Sequence, residues 1–93
     1  MKLRPEVQAF AEMMEAKLQE NDDKGGWQHM GSAEVFVRLI EEAGELAALV
    51  DRRRGLPPAA WRAKLGSEAA DVANFAMMLA DVCGALVRQK EAA

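Results

Sequence analysis

Apolar residues fall in three blocks along the chain. In the first, Val7, Phe10, Ala11, Met14 and Leu18 recur at three- and four-residue spacing, while Glu6, Glu12, Glu15, Lys17 and Gln19 fall largely elsewhere. That pattern predicts a short amphipathic helix over 5–20, with Pro5 in its first turn. Asn21-Asp22-Asp23-Lys24-Gly25-Gly26 is loop chemistry, and the loop continues through Trp27 to Gly31. The second block, from Val35 to Val50, spreads round more than one face. It predicts a helix over 33–53, N-capped by Ser32 and buried on two sides, the second cover coming from another subunit. Arg52-Arg53-Arg54-Gly55 reads as its stop signal, and Leu56-Pro57-Pro58 as a connector. The third block predicts a helix over 58–89 with a break or kink at Gly66-Ser67. From Ala69 to Val87 its only ionisable side chains are Asp71, Asp81 and Cys83, so it belongs at the centre. The tail from Lys90 to Ala93 is expected to fray.

Composition fits this picture. The chain has 93 residues, 51% of them hydrophobic, with no Tyr and three Pro. Ala, Leu, Met, Glu, Lys and Arg are good helix formers, and little is left to build a sheet. The expected fold class is an all-α helical bundle in a single domain, 1–93. So short a chain buries a modest core, and surplus apolar surface argues for an oligomer. The net charge of −3 argues against a polymeric nucleic-acid partner. The N-terminus lacks a hydrophobic signal region, and no stretch has the ~18 uncharged apolar residues of a membrane span. The single Cys83 reads as a small buried hydrophobe. A reducing, cytoplasmic setting is expected.

The candidate chemistry lies in the acids. Glu42 and Glu45 share one helix face with Arg38 and Leu49, and Glu41 sits at the edge of that face. On the last helix Ser67, Glu68, Asp71 and Asn74 form a similar polar stripe. Packed together, these carboxylates would repel by roughly 3 kcal/mol per pair at about 5 Å and an effective dielectric near 20. Acids placed twice in the most hydrophobic segments call for a cation. Hard oxygen ligands without His or thiolate favour Mg²⁺ or Mn²⁺, held together with substrate phosphates. The lone His29 stands in no Glu-x-x-His motif, which sets a di-iron bundle aside. No P-loop or nucleophile triad is present.

Glu-x-x-Glu at 42–45, Glu-x-x-Asp at 68–71, and the wording of Glu41-Glu42-Ala43-Gly44-Glu45-Leu46 and Glu68-Ala69-Ala70-Asp71-Val72-Ala73-Asn74 resemble the MazG-like all-α nucleoside triphosphate pyrophosphohydrolases. That superfamily also holds dimeric dUTPases and phosphoribosyl-ATP pyrophosphohydrolases. The resemblance runs from about Lys24 to Asp81, and Lys24-Gly25-Gly26-Trp27 is similar to the loop of small phage and bacterial members. It implies a dimer or dimer of dimers and Mg²⁺-dependent conversion of a (deoxy)nucleoside triphosphate to monophosphate and pyrophosphate. It implies that Glu42, Glu45, Glu68 and Asp71 hold the metal, and that Glu41 orients or deprotonates the attacking water. Lys64 corresponds to a phosphate-contacting lysine, and Asn74 to a polar substrate or metal-shell contact.

Other residues divide between chemistry and packing. Lys24, beside two glycines, is suited to reach a phosphate, and Trp27 to stack on a base. Trp61 and the methionines at 13, 14, 77 and 78 read as core or interface packing, His29 as loop structure, and Arg52–Arg54 as a helix-end cluster. Gly44, inside a helix at a penalty of about 1 kcal/mol against Ala, suggests close approach of a neighbouring helix. Two rival readings remain: a phosphoribosyl-ATP or other phosphoanhydride hydrolase, and a non-catalytic helical interaction module with a structural cation site.

Overall fold

The computed structural model describes residues 1–51 and 55–87. They form α1 (Pro5–Glu20), a 3₁₀ turn at Asp22–Lys24, α2 (Ser32–Asp51) and α3 (Pro58–Val82), with no strand among the described residues. The chain is all-helical, as its periodicity predicts. Helix α1 opens on Pro5, which has no N–H to leave unbonded. Helix α2 starts one residue early, at Ser32, with the Val35 N–H donating to the Gly31 carbonyl at 3.1 Å. Gly55 takes φ +68, in the left-handed region that favours glycine. The Arg52–Arg54 cluster before it, and the tail from Lys90 to Ala93, lie outside the described residues.

Helix α3 is the centre of the molecule. Helices α1 and α2 each pack against it, and among the described residues they do not pack on each other. The α2 stripe Val35, Leu39, Glu42, Leu46 and Leu49 faces α3 at alternating four- and three-residue spacing, and Val35 and Leu49 are fully buried. Ala70 of α3 is buried as well, and Asn74 is the buried polar residue among the described ones. The Trp61 indole N–H donates to the Leu49 carbonyl at 2.9 Å, tying the start of α3 to the end of α2. With a radius of gyration of 15.0 Å the chain is more extended than the roughly 12 Å of a compact domain this long.

Four expectations are corrected. Helix α3 ends at Val82 rather than at 89. Gly84, at φ +70, supplies a left-handed C′ residue. Its N–H donates to the Asp81 carbonyl at 3.0 Å, and the Ala85 N–H donates to the Ala80 carbonyl at 2.8 Å. These two bonds form a Schellman motif that satisfies the helix end. Cys83 is consequently the exposed cap residue, not a buried hydrophobe. Helix α3 runs unbroken through Gly66-Ser67. The close helix approach expected at Gly44 occurs instead at Gly66, where an added Cβ would lie 2.8 Å from Met13 Cε of α1. At Gly44 the chain itself leaves open space.

The second apolar side of α2 has no cover among the described residues. Phe36, Val37, Ile40 and Val50 are each at least half exposed. No described helix is long and apolar enough to cross a membrane.

Candidate metal and polyphosphate site

Glu42 interrupts the apolar stripe of α2, and Asp71 follows buried Ala70 on α3. Packing the two stripes therefore brings acids together. Carboxylate oxygens of Glu42, Glu68 and Asp71 lie within 4.8 Å of one another, each residue partly buried. Glu45 stands outside this triad but within hydrogen-bonding reach of Glu42 and Glu68, and its charge acts on both. Burial is the main cause that pushes the Glu42 carboxyl from 4.5 up to about 7, with the charges of Glu45, Asp71 and Glu68 adding to it. Burial likewise raises Glu68, and Lys64 opposes the rise. Glu68 Oε2 is buried with no hydrogen-bond donor. A crowded set of hard oxygens with one orphaned atom fits a hard divalent cation.

A cavity of about 490 Å³ opens beside the triad, between the end of α1, the 21–30 loop, α2 and α3. Glu42 and Asp71 line its acidic side. Lys17, Lys24 and Arg38 bring cations to the same space. Arg38 also places its guanidinium 5.7 Å from the centroid of the Phe75 ring. Trp27, His29, Phe75 and Met78 add rings and apolar surface. Gly25, at φ +84, turns the chain just after Lys24. The Trp27 indole N–H donates to Asp81 Oδ2 at 3.0 Å, which fastens the loop to the last turn of α3. Trp27→Phe removes this bond while keeping an aromatic ring. It should destabilise the protein by about 1 kcal/mol, seen as a melting temperature lower by roughly 4–8 °C. An unchanged melting temperature would mean that the bond does not secure the loop.

The predicted residues are thus distributed unevenly. Glu42, Asp71, Lys24, Trp27 and Asn74 line the large cavity. Glu45, Lys64 and Glu68, with Leu49, line a second one of about 380 Å³ on the other side of the acids. Glu41 is exposed and lines neither. Asn74 is chiefly a helix tie: its Nδ2 donates to the Met14 carbonyl of α1 at 3.0 Å. Its Oδ1 is buried with no donor.

Lys17 is the residue that sequence reasoning missed. Its Nζ lies 3.6 Å from Asp71 Oδ1 and donates to Ser67 Oγ at 3.1 Å. The sequence pattern set it among the outward polar residues. Yet it is seven residues after Phe10 and three after Met14, on the stripe that α1 turns to α3. A charge at an apolar-stripe position was the available signal.

No family model matches the chain, and neither a curated protein nor a solved structure matches it.

Proposed function

We propose that this chain is a Mg²⁺-dependent nucleoside triphosphate pyrophosphohydrolase of the MazG-like all-α type, releasing pyrophosphate and a nucleoside monophosphate. The observation that carries this reading is the make-up of one cavity: paired carboxylates on one side, three cations near them, and an indole held at its rim. A nucleoside triphosphate carried with a divalent cation has the matching parts. Glu42, Glu68 and Asp71 would hold the cation, with Glu45 beside them. When bound, the cation neutralises the acids and makes the phosphoanhydride more electrophilic.

The chain's own residues do the rest. Lys24 and Arg38 stabilise negative charge on the phosphate chain. Trp27 offers its face to the base while Asp81 holds its edge. Lys64 acts from the second cavity on the Glu45–Glu68 side, and Asn74, whose Nδ2 donates to the Met14 carbonyl, has Oδ1 left to accept from a metal-bound water or a substrate hydroxyl. Glu41, outside both cavities, is assigned to orienting water from the exposed face of α2. The test is pyrophosphate release from each canonical and modified (d)NTP with Mg²⁺ or Mn²⁺. Silence with all of them sinks the reading.

The active form is proposed to be a homodimer or a homotetramer built on α2. Its support is the apolar surface of Phe36, Val37, Ile40 and Val50, with Gly44 in open space. Ile40→Glu puts a charge on that face. Sedimentation at micromolar concentration should show the variant as monomer where the parent is an oligomer. A parent that sediments as monomer refutes the assembly.

A further inference from the structure

Lys17 reaches the acids from α1, the helix that carries none of them. Its Nζ stands 3.6 Å from Asp71 Oδ1, 3.1 Å from Ser67 Oγ and 3.8 Å from Glu20 Oε2. Its side chain is 26% exposed, so it is neither sealed in nor free. It lines the large cavity together with Asp71. Among the described residues it is the ammonium within ion-pair distance of Asp71, while Lys64 acts on Glu68. A divalent cation bound at Glu42, Glu68 and Asp71 would share Asp71 with that ammonium at short range, and like charges repel there. The four-carbon stem can carry the ammonium away from Asp71. Glu20, two-thirds exposed, is a weak alternative partner. A phosphate chain in the cavity is a much stronger one.

We propose that Lys17 is a tethered counter-ion that competes with the metal for Asp71 and passes to the phosphate chain when metal and polyphosphate enter together. This rests on the metal and triphosphate reading above and assigns its regulation. Because the exchange links the two ligands, each strengthens the binding of the other. The site therefore holds little free metal and selects the metal–polyphosphate complex.

The test uses the whole chain and two probes, Mn²⁺ alone and the 1:1 complex of Mn²⁺ with inorganic triphosphate, each followed by calorimetry. Lys17→Gln should bind Mn²⁺ alone roughly tenfold more tightly than the parent and the complex roughly tenfold more weakly, within the usual range of coupling between sites. Lys17→Arg, which keeps the charge, should resemble the parent in both. Ser67→Ala, which loosens the ammonium without removing it, should shift Mn²⁺ affinity upward by a smaller factor, and it serves if Lys17→Gln does not fold. A folded Lys17→Gln that binds Mn²⁺ no better than the parent overturns the inference, as do two shifts of the same sign. In that case Mn²⁺ binding by the parent that is lost in Glu68→Gln leaves the metal site standing. Absence of Mn²⁺ binding from the parent and Lys17→Gln alike overturns both.

Discussion

Glu68→Gln should abolish pyrophosphate release, with a loss of a hundredfold or more, and at the same time raise the melting temperature of the metal-free protein. The two effects share one cause. Glu68 adds negative charge to a partly buried cluster and leaves Oε2 with no donor. Gln keeps the shape, removes the charge and brings an N–H₂ that can donate to the neighbouring carboxylates. Repulsion falls, so the empty site becomes less unfavourable. The same change removes an anionic ligand from the proposed metal site. Substituting even the residues that merely support metal ligands typically lowers affinity or activity 10–100-fold, so direct loss of a ligand is expected to do at least as much. An ordinary surface acid would move neither quantity. A structural acid would lower the melting temperature. Activity surviving in a stabilised Glu68→Gln would remove Glu68 from the site.

The metal-free protein should lose stability as pH rises from 5 to 8, and Mg²⁺ should restore it at the alkaline end. Glu42 titrates near 7 in the folded chain against 4.5 ordinarily. Between those values the folded state holds a proton that the unfolded state has released. The associated stability is fully present below about pH 4.5 and is lost as pH passes through 7. The carboxyl is partly exposed, so after allowance for solvent screening the loss is about 1–2 kcal/mol. For a domain of this size that is roughly 5–15 °C in melting temperature. Glu68 is raised in the same direction and adds to the slope. A salt-bridged carboxylate would give the opposite sign. Glu42→Gln should flatten the curve, and the difference between the parent and this variant isolates the contribution. At pH 8, a metal at a hundred times its dissociation constant should return about 2.7 kcal/mol. A parent curve parallel to that of Glu42→Gln, with no response to Mg²⁺, would mean that the acids are solvated and hold no cation.

The three helices were legible because each carries a hydrophobic period long enough to outweigh local ambiguity. The pairing of the acids was legible for the same reason: Glu42 and Asp71 stand inside the stripes that pack. What escaped depended on single residues whose local chemistry competes with a longer pattern. Gly84 sits in an apolar run that continues through Val87, and its left-handed turn stops α3 and exposes Cys83. Lys17 has the charge of a surface residue, and only its position on α1 places it against α3. Gly44 and Gly66 look alike in sequence, and only packing separates the one facing open space from the one that lets Met13 approach.

That α1 packs on α3 and, among the described residues, not on α2 has a consequence for the order in which the molecule opens. A helix docked on one neighbour can detach while the α2–α3 hairpin stays intact, so its amides should exchange with solvent through a sub-global opening, ahead of those around Val35 and Ala70. Such an opening removes the Asn74 contact and takes Lys17 away from the acids, which then face water together. A ligand that recaptures the ammonium should slow exchange throughout α1. Protection in this first helix would thus report occupancy of a site to which it contributes no carboxylate.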